Sequence, residues 1–295
     1  MRRYFTGTLK HLLFYAHSHM TLNCLGNLID LSKARVMGIL NLTPDSFYDG
    51  GFYASEKEIL AHVENMLDEG ARFLDLGGYS SRPNADDITT DEEIKRVFPV
   101  IKMVGTEFAE ALISIDTFRS EVAQAALDQG VDIVIDISGG LADPKMLPLI
   151  AAYQVPIIMM HMKGTPQTMT THTSYENLLE EILFYCSERL SSARSLGIND
   201  MVIDPGFGFA KTVEQNFELL DQLGLFQTLK APVLVGISRK SMIYKTLGVT
   251  PEEALNGTSA LHMSALERGA NILRVHDVKE AMECISLQEQ LKKGA

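Results

Sequence analysis

One pattern repeats along this chain from Val36 onward: a short apolar run, a polar residue at its end, and then a stretch with the mixed spacing of an amphipathic helix. The apolar runs predict strands at Val36–Leu40, Phe73–Leu76, Leu112–Ile115, Ile133–Ile137, Ile157–Met160, Met201–Ile203, Val233–Gly236 and Ile272–Val275. The intervening stretches predict helices at Glu56–Glu69, Asp91–Met103, Ser120–Gln129, Tyr175–Ser195, Val213–Leu223, Pro251–Glu267 and Val278–Lys292. Continuous apolar strands that alternate with helices indicate a parallel sheet covered by helices.

The number of repeats distinguishes two α/β architectures. Eight strand–helix units in about 250 residues are typical of a TIM (β/α)8 barrel. The alternative, a doubly wound open sheet, favours a Gly-x-Gly-x-x-Gly turn after the first strand, and none follows Val36–Leu40. Residues 21–31 predict a small hairpin with Gly26-Asn27 at its turn, placed to plug the N-terminal end of the barrel.

The domain organisation is predicted to be simple. Without a Pro/Ser-rich linker to divide it, the chain is interpreted as one domain over residues 20–295. Residues 1–19 are predicted to be a disordered extension ahead of Met20, because their apolar run Leu12–Ala16 is too short for a signal peptide.

Charge and cysteine content narrow the choice of partners. The net charge of −12 argues against nucleic acid or an anionic membrane as the main partner, since both require a basic face. The three cysteines are far apart in sequence and suggest neither a disulfide framework nor a zinc site. The sequence therefore predicts a cytoplasmic protein that acts on small molecules.

Polar or glycine-rich residues stand at or next to the C-terminal end of each of the eight predicted strands. They are Asn41, Gly77-Gly78, Asp116, Asp136, His161, Asp204, Ser238–Lys240 and Arg274–His276. A single Asp at such a position is as well explained by capping of the next helix. Eight in succession favour a shared pocket, because a TIM barrel has its active site at the C-terminal ends of its strands.

The charges of this predicted pocket are mixed. The acidic members are Asp116, Asp136 and Asp204, and the basic members are Arg82, Lys240, Arg274 and His276. Carboxylates suit a heterocycle with neighbouring N–H donors. Arg274 and His276, with Asn41 from the neighbouring first strand, suit an anion beside a hydrated magnesium ion, which needs few protein oxygens.

Other chemistries fit the sequence less well. Asp204–Phe209 lacks the spacing of a P-loop, although Ala210-Lys211-Thr212 follows it. Met159–Met162 is better explained as a buried strand ending in a pocket-facing His than as a soft metal site. A hydrolase triad has no Gly-x-Ser-x-Gly elbow to carry its nucleophile.

The loop that follows the first predicted strand has two interpretations. Asn41 ends the strand, and the residues that follow supply a Thr-Pro-Asp turn, Phe47, Tyr48 and Gly50-Gly51. Large side chains with a glycine hinge are typical of a lid over a ligand site. An ordinary connection between strand and helix is the alternative.

Several motifs in order resemble the dihydropteroate synthase family over nearly all of residues 21–290. They are Met37–Gly51, Asp75–Gly78 with Ser80–Pro83, Asp116-Thr117, Asp136–Gly140, Met160–Pro166, Asp204–Phe209, Gly236–Ser241 and Arg274–Val278. The resemblance implies a TIM-barrel transferase of folate synthesis. It would join p-aminobenzoate to 6-hydroxymethyl-7,8-dihydropterin pyrophosphate, release pyrophosphate, use Mg²⁺ and form a homodimer.

The resemblance also implies a role for each matching residue. Lys240, Asp116, Arg274 and His276 would carry the catalysis. Asp116, Asp204 and Lys240 would bind the pterin, Arg274 and His276 the pyrophosphate, and Asn41 the magnesium. The remaining substrate-binding residues implied are Met160, Phe209, Phe47, Ser81, Arg82, Pro83 and Ser241.

The chain departs from the family pattern at three positions. Ile135 stands before Asp136 where the family usually has Asn, Asn84 stands where Gly usually follows Pro83, and Ala210 replaces a Gly. Ile135 removes a hydrogen-bonding group from the implied pterin site. Two alternatives to the synthase therefore remain at this point: a non-catalytic pterin-binding paralogue and a pterin-dependent methyltransferase.

Overall fold

The computed structural model describes residues 20–42, 56–82 and 87–293. Its strands are β1 (Thr21–Cys24), β2 (Asn27–Asp30), β3 (Arg35–Asn41), β4 (Phe73–Gly77), β5 (Leu112–Asp116), β6 (Ile133–Asp136), β7 (Ile157–Met160), β8 (Met201–Asp204), β9 (Leu234–Val235) and β10 (Ile272–Val275). Strands β3 to β10 form one parallel sheet in the order β8-β7-β6-β5-β4-β3-β10-β9. A parallel bridge between Ile203 and Val233 brings its two edges together. The predicted eight-stranded TIM barrel is confirmed.

Helices cover the outside of the sheet. They are α1 (Glu56–Asp68), α2 (Thr90–Glu107), α3 (Ser120–Leu127), α4 (Met146–Tyr153), α5 (Leu178–Ser195), α6 (Val213–Asp221), α7 (Ser241–Leu247), α8 (Leu255–Glu267) and α9 (Val278–Lys293), with 3₁₀ turns at Met169–Thr171, Leu223–Leu229 and Glu252–Ala254. Two of them, α4 and α7, were not predicted. The first is almost wholly apolar and so lacks an amphipathic period, and the second is only 7 residues long. No helix among the described residues has the length and apolar character needed to cross a membrane.

Alternation along each strand divides the apolar core into two clusters. On β6, Ile133 and Ile135 belong to the cluster inside the barrel, whereas Val134 belongs to the larger cluster between sheet and helices. Because side chains of a strand point alternately to its two faces, residues at every second position reach the barrel interior. The same alternation decides which strand-end side chains can meet a ligand.

The hairpin β1–β2 lies at the N-terminal end of the barrel. Its apolar side chains Leu22, Cys24, Ile29 and Leu31 share a cluster with interior residues of the barrel such as Met37. The backbone N–H of Asn23 donates to Asp200 at 2.8 Å, which ties the hairpin to the start of β8. The predicted plug is confirmed by this packing.

The turn of the hairpin differs by one residue from the prediction. Leu25 and Gly26 are its two central residues, with φ of 49° and 95°, and Asn27 already belongs to β2. Two positive φ values are the signature of a two-residue type I′ turn. Asn23 Oδ1 accepts a hydrogen bond from Gly26 N at 2.9 Å. This side chain fixes the register and places a leucine in the left-handed position.

Candidate active site

The strand ends meet at one mouth of the barrel, where an arginine lies between two carboxylates. Arg274 on β10 directs its guanidinium inward, with Nε 2.6 Å from Oδ2 of Asp75 and Nη2 2.9 Å from Oδ2 of Asp116. Asp75 is fully buried, and its other oxygen accepts a hydrogen bond of 2.8 Å from Ser114 Oγ. The network links β10, β4 and β5 across the interior of the barrel.

Asp75 is a candidate that sequence reasoning missed. It is a lone carboxylate inside the apolar run Phe73–Leu76, two residues before Gly77 and therefore on the same strand face. That placement was the available signal. A buried charge of this kind requires a partner, and Arg274 is distant in sequence although adjacent in the barrel.

Burial and charge shift the pKa values of this network. Burial raises the pKa of Asp116, an effect that Arg274 opposes and Asp75 reinforces. For Arg274, burial acts to lower the pKa, but the carboxylates of Asp75 and Asp116 outweigh burial and raise it. Arg274 is thus a permanent cation at neutral pH, and Asp116 is the carboxyl group that can exchange a proton.

Asp204 and Lys240 form the opposite side of the mouth. Asp204 ends β8 with an exposure of 6%, and its Oδ1 accepts a hydrogen bond of 2.7 Å from Gly206 N. Its other oxygen has no hydrogen-bond partner within the described residues. Lys240 Nζ donates to Phe207 O and lies 4.8 Å from the ring centroid of Phe209. A buried acceptor and a half-buried cation are therefore available to one ligand.

Burial shifts the pKa values of Asp204 and Lys240 in opposite directions. Burial lowers the pKa of Lys240 to about 8, although Asp204 acts in the other direction. Burial raises the pKa of Asp204, which Lys240 opposes. At neutral pH the lysine is mainly protonated, and it loses its charge within an accessible pH range.

The three residues of the motif Ser238–Lys240 point in different directions and have different partners. Ser238 Oγ lies 3.1 Å from Nδ1 of His276 and accepts from the His276 backbone N–H at 3.2 Å. Arg239, with φ of 54°, turns away and forms two hydrogen bonds of 2.8 Å with the carboxylate of Asp277. Only Ser238 and Lys240 of this motif therefore serve the mouth of the barrel.

His276 is placed for anion binding. Desolvation and the nearby Arg274 guanidinium lower the pKa of His276, so the ring is neutral at pH 7. A neutral imidazole retains one N–H donor for a ligand oxygen.

Asp136 does not join the pocket, contrary to the sequence-based prediction. It alternates with Ile135 and so lies on the outer face of β6. Its Oδ1 accepts from the N–H and Oγ of Ser138, both at 2.7 Å, and its Oδ2 accepts from Gly140 N at 2.9 Å. The carboxylate shapes the loop after β6, which is the capping alternative for a lone Asp.

A second cluster, which no sequence motif indicated, borders the mouth beside β4 and β5. Arg119 Nη1 lies 2.7 Å from Oε2 of the buried Glu93, and its guanidinium carbon lies 5.2 Å and 5.1 Å from the ring centroids of Tyr79 and Phe118. Gln167 Nε2 donates to the Tyr79 hydroxyl at 2.6 Å. These contacts join the loops after β4, β5 and β7, and long-range loop contacts leave no local pattern in the sequence.

Other predicted site residues lie at the same end. Met160 ends β7 and is buried at 3% exposure, Ser241 begins α7, and Ser81 and Arg82 follow β4 with Arg82 exposed. Several other predictions fall outside the described residues: the lid Asp45–Gly51 with Phe47, the extension 1–19, and Pro83 and Asn84.

Asn41 is the one predicted metal-binding residue. Its Oδ1 projects over Gly77, 3.9 Å from where a Cβ on that glycine would lie. The described part of the chain contains no group of three or more His, Cys, Asp or Glu side chains suited to a metal. A neutral amide oxygen at this mouth fits a magnesium ion that takes its other ligands from water and a bound ligand.

Comparisons with known proteins identify the family of this chain. A family model described as "Pterin binding enzyme" matches residues 37–276. Dihydropteroate synthase of Escherichia coli K12 is 40% identical over 272 residues, covering 92% of this chain and 96% of the relative. The synthase of a Synechocystis species is 43% identical over 262 residues, covering 88% and 90%.

Solved structures give the same result. The Yersinia pestis dihydropteroate synthase in complex with a sulfonamide drug superposes with a TM-score of 0.87 at 37% identity, covering 93% of this chain and 100% of that one. The Xanthomonas albilineans enzyme with 4-aminobenzoic acid gives 0.86 at 37% identity, covering 93% and 99%. With these similarities spanning the barrel and its strand-end residues, the chain belongs to the dihydropteroate synthase family of pterin-binding enzymes.

Proposed function

We propose that this enzyme condenses 6-hydroxymethyl-7,8-dihydropterin pyrophosphate with p-aminobenzoate to give 7,8-dihydropteroate and pyrophosphate. The observation that carries the proposal is the pairing, at one barrel mouth, of carboxylate acceptors with the half-buried cations Lys240 and Arg274. The family membership agrees with it, and one of the similar solved structures is described with 4-aminobenzoic acid.

The pterin is proposed to bind between Asp204, Lys240 and Asp116. A pterin carries an amino group and a ring N–H on one edge, which match the free oxygen of Asp204, and ring nitrogen and carbonyl acceptors, which match Lys240. Met160 and Phe209 supply apolar and aromatic surface beside these groups. The buried position of Asp204 strengthens such hydrogen bonds, because little water competes for it.

The pyrophosphate is proposed to bind where Asn41, Arg274 and His276 meet the loops. When bound through Asn41, Mg²⁺ would supply positive charge to the phosphate oxygens and make pyrophosphate a better leaving group. His276 donates one hydrogen bond, and the field of Arg274 favours negative charge. Ser81 and Arg82 after β4 and Ser241 at the start of α7, with Phe47 and Pro83, are proposed to border the aminobenzoate.

The reaction needs no protein nucleophile. The bond between the pterin methylene carbon and the pyrophosphate oxygen breaks, and its electron pair leaves with pyrophosphate. The amine of p-aminobenzoate donates its lone pair to that carbon and then releases a proton to water. The carbon becomes cationic during this exchange, and the carboxylate of Asp116 stabilises the developing charge.

We further propose that the protein is a homodimer in the cytoplasm. Leu287 and Leu291 lie one turn apart on α9, each with an exposure of 61%, and adjacent exposed leucines favour association with a second copy. The three cysteines are buried free thiols, which suits a reducing compartment. Light scattering of the purified protein tests the dimer, and Leu287→Lys with Leu291→Lys is expected to yield monomers.

The experiment that tests the activity is a pyrophosphate-release assay on the purified full-length chain. Pyrophosphate is expected only when the pterin pyrophosphate, p-aminobenzoate and Mg²⁺ are all present. Release without p-aminobenzoate would indicate a hydrolase and contradict the proposed transfer.

One observation favours a second candidate, a non-catalytic pterin-binding paralogue. Ile135, 3% exposed, lies inside the barrel in register with Asp116. An apolar side chain at that level leaves polar atoms of a ligand unpaired. Tight pterin binding without pyrophosphate release would support this candidate, whereas turnover excludes it.

A further inference from the structure

The segment of residues 205–210, between β8 and α6, is held in place by side chains. It belongs to neither helix nor strand, so its backbone polar groups require other partners. Side chains supply them: Asp204 accepts from Gly206 N at 2.7 Å, Asn216 accepts from Gly208 N at 2.7 Å, Lys240 donates to Phe207 O, and the Tyr175 hydroxyl donates to Ala210 O at 2.9 Å.

Lys211 packs against the side of this segment that is opposite to Lys240. The residue is 8% exposed, and its Nζ donates to Gly206 O at 2.9 Å and Phe209 O at 3.0 Å and lies 3.1 Å from Nδ1 of His161. An ammonium group has three N–H donors, and these three acceptors use all of them. Nδ1 of His161 serves as the third acceptor in the tautomer that carries its proton on Nε2.

The backbone of the segment is bent around Lys211. Gly206, Gly208 and Ala210 have φ values of 74°, 81° and 50°, and a Cβ on Gly206 would meet the carbonyl oxygen of His161. These left-handed residues turn the carbonyls of Gly206 and Phe209 to one side and that of Phe207 to the other. Lys211 and Lys240 thus hold the same segment from opposite sides.

Both described contacts of the Lys240 ammonium are made with this segment. One is the carbonyl oxygen of Phe207 and the other is the ring of Phe209, 4.8 Å away. Lys211 holds the backbone on either side of Phe207, through Gly206 O and Phe209 O. Any displacement of the segment therefore displaces Lys240.

We propose that Lys211 is a positioning residue, which orders the segment 205–210 from behind and so sets where Lys240 meets the pterin. The inference rests on the proposed function, in which Lys240 binds that substrate. Lys211 itself lies behind the segment and is not placed against the ligand.

Substitution of Lys211 by Met tests the role, because Met preserves the length of the side chain and removes every N–H donor. The probe is 6-hydroxymethylpterin, which binds without turnover and is followed by titration calorimetry. Its Kd is expected to rise about 10- to 100-fold in Lys211→Met, the affinity that one hydrogen bond from a charged donor such as Lys240 supplies. The KM for p-aminobenzoate is expected to stay within about threefold, since Lys240 serves the pterin.

Lys102→Met is the control substitution. Lys102 is exposed on α2, a helix that packs beside β4 and α3. Its loss is expected to leave the pterin Kd unchanged. If Lys211→Met fails to fold, Tyr175→Phe releases Ala210 O from the same segment and is expected to weaken pterin binding more than p-aminobenzoate binding.

The outcomes separate this inference from the proposed function. A wild-type protein that binds no pterin would overturn the function. A wild type that binds pterin, with Lys211→Met binding it equally well, would overturn the positioning role. Equal losses for both substrates would also overturn it, since they would indicate general structural damage.

Discussion

Arg274 and Asp75 lie 199 positions apart in sequence and are joined by a hydrogen bond of 2.6 Å inside the barrel. Asp75 is fully buried, and its two oxygens are divided between Arg274 and Ser114. The aspartate therefore orients a guanidinium that also contacts Asp116. Residues that touch no substrate in the proposed reaction thus determine the geometry of those that do.

Replacing Asp75 by Asn is expected to reduce kcat/KM strongly. The isosteric amide removes the negative charge that holds Arg274, and breaking one side of a buried pair usually destabilises a protein by about 3–5 kcal/mol. Arg274 is 21% exposed at its side chain, so a smaller loss is expected here. Activity is expected to fall about 10- to 100-fold, as measured by pyrophosphate release.

Asp132→Asn is the control for Asp75→Asn. Asp132 is also buried, but it lies next to the start of β6, where its Oδ2 accepts from Ile113 N at 2.8 Å. Its loss is expected to affect the melting temperature and to leave KM for both substrates unchanged. Equal activity losses in the two variants would contradict a specific role for Asp75.

Ile135→Asn is expected to tighten binding of a pterin. Ile135 lies inside the barrel, and its backbone is in register with Asp116 on β5. An amide there would pair ring polar atoms that an isoleucine leaves unpaired, which is worth on the order of 1–3 kcal/mol, or about 5- to 150-fold in Kd. Calorimetric titration with 6-hydroxymethylpterin measures the Kd of each variant, and Ile135→Val serves as the apolar control. Unchanged affinity in Ile135→Asn would show that residue 135 does not face the ligand.

The barrel was predictable from sequence because its signals are local. The apolar strands recur with the spacing of one β/α unit, and the boundaries of Ile157–Met160 and Ile272–Val275 match the structure. Leu25 was not identified as a turn residue, because a leucine rarely adopts positive φ and Asn23 stabilises the turn from outside it.

The site was predictable only in part. Asp116, Asp204, Lys240 and Arg274 stand at strand ends and meet at the mouth as the topology requires. Their partners could not be predicted from the sequence, because Lys211 acts through backbone carbonyls and Arg119 joins three loops. Alternation within β6 separates Ile135 from Asp136, and applying that rule strictly to the sequence would have excluded Asp136.

Pterin binding is expected to weaken as pH rises through about 8, the value to which burial lowers the pKa of Lys240. Below that value the lysine is cationic and donates to ring acceptors; above it, the charge is lost. Titrations with 6-hydroxymethylpterin between pH 6.5 and 9.5 measure the effect. Lys240→Gln is expected to bind weakly at all pH values and to lack this alkaline decline. A decline that persists in Lys240→Gln would assign it to another group, with Lys211 as the first candidate.

His262 is expected to make the fold sensitive to acid. It is buried on α8, its Nε2 has no partner among the described residues, and burial lowers its pKa to about 4. An unfolded histidine has a pKa near 6.5, so between pH 6.5 and 4 the unfolded chain binds more protons and stability falls as pH decreases. At pH 5 the loss in the free energy of unfolding is on the order of 2 kcal/mol.

The substitution His262→Leu tests this assignment. It removes both the titrating group and the unpaired polar atom, so the melting temperature of the variant is expected to exceed that of the wild type most clearly at pH 5. His62→Leu, at an exposed position on α1, is the control, and an equal pH dependence of melting in wild type and His262→Leu would contradict the assignment.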